Sequence, residues 1–314
     1  MQTHKDKIVV VGAGNVGEAI AYTLMVRDQA NDIVMIDVNE DRARGAALDI
    51  GHGTGFYKQV WLRQGGYEEC ADAKMIIITA GIARKPGQTR LDLAKTNVNI
   101  VRGITRSIME YANDPLILVV SNPADIITAA VWEESGLPSE RVIGSGTSLD
   151  TARFRYILSE KLHVNTEDVN AYVLGEHGDS QVPIYSSAVI GGFPLDEYAK
   201  QVGIHLDKKA IAEATKTAGG EVIRLKGATF YGVAMAVSTI VETIMRDDCA
   251  ILPVAHVLDS SFGEWGGIAM SMPCRIGWKG IEKTLRIPMN DEETAAMNAS
   301  AKILKDFMAQ VREM

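Results

Sequence analysis

The chain has only three cysteines, Cys70, Cys249 and Cys274, odd in number and far apart in the sequence. They match neither a disulfide framework nor the spacing of a zinc site. No apolar run approaches the roughly 18 residues needed to span a bilayer. Lysine and arginine form no block, and the net charge of −8 would repel phosphate, which argues against a general nucleic-acid binder. The opening "MQTHKDKIVVVGAG" runs straight into strand-like residues with no charged-then-apolar leader, so a secretory signal is not expected. These absences point to a cytoplasmic, reduced protein that has no need of a membrane. There is also no repeat period and no low-complexity linker.

What remains is an ordinary globular composition, 46% hydrophobic and 23% charged, on 314 residues. That length suggests about two domains. In the first half, short apolar runs ("KIVVVGAG", "DIVMIDV", "QVWLRQG", "KMIIITAG", "LILVVSNP", "RVIGSG") alternate with stretches such as 15–28 and 91–112, whose apolar residues recur at helical spacing. Strand and helix in series predict a parallel sheet covered on both faces. After about residue 145 the pattern changes. A helical stretch "SLDTARFRYILSEKL" leads to strand-like "NAYVLGEHGDSQVP". A long helical segment over about 207–246, further strand-like pieces and a final helix over 291–313 follow. The expected fold class is α/β: a doubly wound parallel sheet of Rossmann type in residues 1–145, then an α+β catalytic domain in 146–314, the two packed together.

The strand "KIVVV" leads directly into Gly12-Ala13-Gly14-Asn15-Val16-Gly17 and then a helical run. A GxGxxG match alone is a weak signal, but this context is the one a dinucleotide site needs. Gly12 permits the tight turn, Gly14 lets the backbone approach a pyrophosphate, and Gly17 allows close helix–strand packing. Twenty residues beyond Gly17 the second strand ends in Asp37. A carboxylate there accepts from both ribose hydroxyls and repels a 2′-phosphate, favouring NAD over NADP; a helix-capping Asp is the bland alternative. Arg42 could stack near the adenine or lie in solvent.

Three further stretches carry side chains suited to chemistry. His177 lies between two glycines in "GEHGDSQVP", a setting that favours exposure in a cleft over core packing. Asp150 and Arg153 in "SLDTARFR" share one helix face, a spacing that elsewhere marks a surface salt bridge. "VVSNPAD" ends a buried strand with Asn122-Pro123, at the carboxyl edge where α/β sheets bind ligands. The loop "IARKPGQTR" after "MIIITAG" adds Arg84 and Arg90, which flank a Lys-Pro-Gly turn.

Taken in order, "VGAGNVG", "ITAGIARKPGQTRLDL", "VVSNPAD", "GSGTSLDTARFRYILSEKL", "GEHGDSQVP" and "KGATFYGVAM" resemble the L-lactate/L-malate dehydrogenase family from end to end. The resemblance implies an NAD cofactor and a 2-keto or 2-hydroxy acid substrate. It implies that His177 exchanges a proton with the keto oxygen, with Asp150 orienting the imidazole. Arg153 would hold the substrate carboxylate in a two-pronged salt bridge, and Arg90 would polarise the keto oxygen as its loop closes. Asn122 would position substrate and nicotinamide. Family members form dimers and tetramers, tetramers being usual for lactate-type enzymes.

Within the family the substrate signals divide. Lactate dehydrogenases typically have Gln at the position matching Arg84, near the methyl group of pyruvate. Malate dehydrogenases have Arg there, paired with the second carboxylate of oxaloacetate. Burying Arg84 against a methyl would leave a charge uncompensated. Thr229 in "KGAT", "GEHGDS" and the run from Gly146 are lactate-like. The expectation is lactate-type activity with substantial oxaloacetate reduction, and malate dehydrogenase as the alternative. Bacterial lactate enzymes activated by fructose 1,6-bisphosphate supply an Arg and a His to the effector; Arg155 matches the first, but Asn170 replaces the second. Weak or absent activation follows. An NAD-dependent glycosidase would need a metal held by Cys and His, and no cysteine lies near His177 in sequence. A non-catalytic NAD-binding module would not need Asp150, Arg153, His177 and Arg90 together.

Overall fold

The computed structural model describes residues 6–82 and 89–312, with the Arg90 side chain excepted. Arg84 lies outside the described residues. The first half runs β1 (Lys7–Val11), α1 (Asn15–Val26), β2 (Asp32–Ile36), α2 (Glu40–His52), β3 (Trp61–Gln64), β4 (Met75–Ile78), α3 (Arg90–Met109), β5 (Ile117–Val119), α4 (Ala124–Ser135) and β6 (Val142–Gly144). The second runs α5 (Ser148–Leu162), β7 (Val169–Leu174), β8 (Val182–Ile190), β9 (Phe193–Pro194), α6 (Leu195–Gln201), α7 (Lys208–Lys226), α8 (Tyr231–Arg246), β10 (Ile251–Val257), β11 (Ala269–Gly277), β12 (Gly280–Thr284) and α9 (Asp291–Arg312).

The strands β1, β2, β4, β5 and β6 are buried along their whole length, as apolar runs covered on both faces must be. They pair in parallel in the order β3-β2-β1-β4-β5-β6. The order reverses between β1 and β4, and the crevice beyond the carboxyl ends of the strands at such a switch point is where open α/β sheets bind ligands.

The sheet does not stop where the composition changes. β10 runs antiparallel to β6 through the Ala255–Gly144 pair, and β11 and β12 extend it, giving nine strands among the described residues. One hydrophobic core therefore spans both halves, from Ile8 and Ile77 to Met272 and Leu304. A separate antiparallel sheet, β7-β8-β9, packs with α5 and α6 around Phe154, Leu158, Val173 and Leu195.

Two expectations need correcting. The helical segment over 207–246 is two helices, because Gly227 (φ +85°) caps α7 and the chain restarts as α8 only after Phe230. The break places Thr229 at a junction instead of on a helix face. The strand-like stretch around "GEHGDSQVP" is strand only to Leu174. There Gly175 (φ +84°) bridges to Ser271 of β11 and turns the chain into a loop that resumes as β8. No helix among the described residues is long and apolar enough to cross a membrane.

Candidate active site

The glycine turn after β1 is shaped by contacts that exclude side chains. A Cβ on Gly12 (φ +112°) would fall 2.6 Å from Thr79 Oγ1, and one on Gly17 only 1.9 Å from the Gly12 carbonyl oxygen. Gly14 differs: a Cβ there would meet only the Arg42 guanidinium, at 4.0 Å. Its open face leads to the α1 N-terminus, where no side chain caps the first amides. Free N–H donors and the positive end of a helix, reached past a residue with no side chain, fit a pyrophosphate. Asp37 is held by two backbone donors, Ala13 N at 2.7 Å and Asn39 N at 2.9 Å, which fix its carboxylate beside the turn. Arg42, half exposed on α2, lies 3.6 Å from Glu18 on the same side.

A cavity of about 610 Å³ continues from Val16 and Thr79 past Asn122, Asp150, Arg153 and His177 to Thr229. Such a volume holds a nicotinamide ring and a small acid. Its chemistry centres on Asp150, buried in the first turn of α5. One carboxylate oxygen lies 2.5 Å from His177 Nδ1, and the other accepts from Arg153 Nη1 at 3.0 Å. The helix spacing that put Asp150 and Arg153 on one face thus joins a single carboxylate to two cationic groups. Arg153 is folded against Gly219 of α7, where a Cβ would come within 3.1 Å of its guanidinium. Engaging Nδ1 with Asp150 leaves His177 Nε2 for a ligand in the cavity.

The charges are tuned by burial and by each other. Burial alone would lower the His177 imidazole, but the Asp150 carboxylate outweighs it and holds the pKa up at about 9. Burial pushes Asp150 up, yet His177 and Arg153 together hold it below the usual carboxylate range. A third carboxyl, Asp125 in the first turn of α4, accepts from the His177 backbone N–H at 2.7 Å. Its other oxygen is buried without a hydrogen-bond partner, and burial raises its pKa to about 7.

Asn122 lies on the cavity wall, at a cis peptide with Pro123, and its carbonyl accepts from the buried Asn97 of α3. Asn97 also accepts from Ile82 N at 2.9 Å, tying Asn122 to the last described residue before the arginine loop. Beyond that loop, Thr89 and Asp92 form a capping box, so α3 starts at Arg90. Arg155 points away from the cavity: its Nε donates to the Ala171 carbonyl at 2.8 Å and its guanidinium lies against Tyr172. Asn170 is exposed on β7. Sequence reasoning missed Asp125 and Asn97. Asp125 sits inside the quoted "VVSNPAD" but reads as an N-terminal helix residue, and its partner lies 52 residues away.

Comparison with known proteins agrees with this architecture. Residues 6–144 match the family described as lactate/malate dehydrogenase, NAD binding domain, and residues 147–314 match lactate/malate dehydrogenase, alpha/beta C-terminal domain. An L-lactate dehydrogenase of Acetivibrio thermocellus is 44% identical, the match covering 96% of each chain. L-lactate dehydrogenase 1 of Clostridium acetobutylicum is 42% identical over 97% of this chain and 98% of its own. The crystal structure of the minor L-lactate dehydrogenase from Enterococcus mundtii, in its ligands-bound form, superposes with a TM-score of 0.95 at 40% identity, covering 99% of this chain and 100% of that one. With both halves matched and relatives this similar over nearly their whole length, the chain belongs to the lactate/malate dehydrogenase family and is an NAD-dependent dehydrogenase.

Proposed function

We propose that the chain reduces pyruvate to L-lactate with NADH and catalyses the reverse oxidation with NAD, and that Arg84 extends the reaction to oxaloacetate. The observation that carries this reading is the Asp150 carboxylate held between His177 Nδ1 and Arg153 on the wall of one cavity. NADH, when bound, supplies the hydride. His177, kept cationic near neutral pH, gives its Nε2 proton to the keto oxygen and takes it back in oxidation. Asp150 orients the ring and stabilises the imidazolium. Arg153 grips the substrate carboxylate, and a planar fork does this better than Lys. Arg90 polarises the keto oxygen from the start of α3, while Asn122 and Thr229 line the cavity around the substrate. Gly12, Gly14, Val16, Gly17, Asp37 and Arg42 hold the cofactor. Residues 1–145 form the NAD-binding domain, which also lends Arg90 and Asn122 to the reaction, and 146–314 the substrate and catalytic domain, in a cytoplasmic homo-oligomer, a tetramer or a dimer.

The relatives' names favour pyruvate, and Arg84 favours oxaloacetate, so malate dehydrogenase is the second reading. Measuring kcat/KM for both acids separates them. A pyruvate preference above about 100-fold, or roughly 2.7 kcal/mol, overturns the part assigned to Arg84. With the proposed selector, Arg84→Gln shifts the ratio toward pyruvate. No NADH oxidation with either acid removes the whole reading. Because Arg155 is already committed to Ala171 and Tyr172 and Asn170 offers no cation, fructose 1,6-bisphosphate is expected to leave the rate at limiting pyruvate unchanged. Strong activation would contradict that assignment.

A further inference from the structure

The loop that carries His177, from Gly175 to Gln181, is anchored on three sides. Gly175 exchanges backbone hydrogen bonds with Ser271 of β11, at 3.1 and 2.9 Å. The His177 N–H is held by Asp125 of α4. The third anchor comes from α9, through Ser300, a hydroxyl with no solvent exposure. Ser300 Oγ accepts from the Glu176 N–H at 2.9 Å and lies 3.0 Å from Ser180 Oγ. Ser180 Oγ donates to Glu176 Oε2, so its own proton is committed. Ser300 must therefore be the donor to Ser180. The result is a closed circuit of donors: Glu176 N–H to Ser300, Ser300 to Ser180, and Ser180 to the Glu176 carboxylate. The two hydroxyls each give and receive, and the chain of bonds that starts at the Glu176 N–H and ends on its own carboxylate is mutually polarised and holds one geometry. It encloses the residue before His177 and ends three residues after it. Replacing Gly175 would crowd the same hydroxyl, since a Cβ there falls 2.8 Å from Ser300 Oγ.

We infer that Ser300 is a positioning residue for the reaction: through the Glu176–Ser300–Ser180 circuit, α9 fixes the backbone on either side of His177 and so sets the reach of its imidazole to Asp150 and to substrate. The inference rests on the reading of His177 as the proton donor and deepens it. It reaches a residue 123 positions further along the chain, in a helix that has no other assigned part in the chemistry. The charged groups facing His177 are Asp150 and Arg153 of α5 and Asp125 of α4, and Glu176 of its own loop faces Asp125. Asp179 of the loop and Lys216 of α7 line the same cavity. Loosening the loop shifts the ring and weakens the 2.5 Å His177–Asp150 contact, which is the largest of the influences that raise the imidazole pKa. The imidazole then loses part of what raises its pKa.

The test compares Ser300→Ala, Ser180→Ala and the double variant by NADH oxidation with pyruvate across pH 6–10, alongside NADH binding and thermal unfolding. Ser300→Ala is expected to lower kcat about five- to tenfold, the loss of a hydrogen bond acting only through geometry, with NADH affinity unchanged. The high-pH fall of kcat/KM should move to lower pH, because less of the imidazole is held protonated. Ser180→Ala should show the same two changes, and the double variant should be no worse than Ser300→Ala, because one break already opens the circuit. The inference is overturned if Ser300→Ala lowers only the unfolding temperature and leaves kcat and the pH limb in place, or if the two single losses multiply. Should Ser300→Ala not fold, an unchanged pH limb in Ser180→Ala overturns it instead. His177→Asn separates the layers: if that variant keeps its activity, the reading beneath has failed, whereas an inactive His177→Asn beside an unaffected Ser300→Ala sinks this inference alone.

Discussion

The glycine turn after β1 and the cavity beyond it are built in opposite ways. At the turn, where the cofactor is proposed to bind, the available groups are backbone amides, and the sequence contributes mainly by leaving side chains out. Gly12, Gly14 and Gly17 lie within six residues, and Asp37 is held by Ala13 N, 24 residues back. In the cavity the groups are side chains drawn from α3, α5, the β7–β8 loop and the α7–α8 junction, with Asp125 of α4 held against the His177 backbone. His177 is 27 residues from Asp150, 52 from Asp125 and more than a hundred from Ser300, which accepts from the neighbouring Glu176 N–H. A backbone site is insensitive to most substitutions but intolerant of added atoms. A side-chain site fails when a single charge loses its partner.

That contrast can be broken or sharpened by substitution, beginning where the effect is largest. Arg153→Leu leaves Asp150 with His177 as its cationic partner and removes the grip on the substrate carboxylate. kcat/KM for pyruvate should fall by about 10³-fold or more, as when one member of a buried charged pair is truncated. A loss under tenfold would place the carboxylate elsewhere. Next comes Gly17→Ala, whose Cβ would lie 1.9 Å from the Gly12 carbonyl. NADH affinity should drop at least about tenfold and the unfolding temperature should fall, an overpacking effect. Unchanged NADH binding would show that the turn can relax. Asp37→Ala should weaken NADH about tenfold by removing two acceptors and narrow the discrimination against NADPH. If the ratio of the two cofactors stays fixed, Asp37 is not the ribose acceptor.

The smallest expected effect concerns stability. Asp125 titrates at about 7 in the folded chain against 3.8 for an ordinary Asp. The folded state therefore holds this proton more tightly than the unfolded state. Stability from this group falls as pH rises from about 4 to about 7 and stays lost above that. His177 adds a second loss at higher pH, because its raised pKa of about 9 gives stability that is complete below about 6.5 and disappears as pH climbs through 9. Asp125→Asn should abolish the first decline and shrink the second, because the Asp125 carboxylate is one of the charges that raise the His177 pKa. Denaturant unfolding at pH 5, 7 and 9 measures both, and parallel curves for the two proteins would remove Asp125 from the account.

The same contrast explains what could be read in advance. The glycine turn, Asp37 and the alternation of buried strands with helices are local, and one stretch of sequence contains both the residue and the reason for it. The resemblance of long motifs supplied the pairing of Asp150, Arg153 and His177, which spacing alone leaves as a surface ion pair and an isolated histidine. Asp125, Asn97 and Ser300 were silent because their partners lie across the fold, and a buried Ser on a helix has no local signature. The joining of β10 to β6 was equally silent. An apolar strand shows that it is buried, not which edge it joins.

In the proposed division of labour, His177 carries the proton while the glycine turn independently holds the cofactor. Measuring pyruvate reduction and NADH binding together in His177→Asn tests it most directly. A fall in kcat of about 10³-fold or more is expected, with NADH affinity preserved. A variant that still turns over within about tenfold of the parent, or that loses NADH binding along with activity, would contradict it.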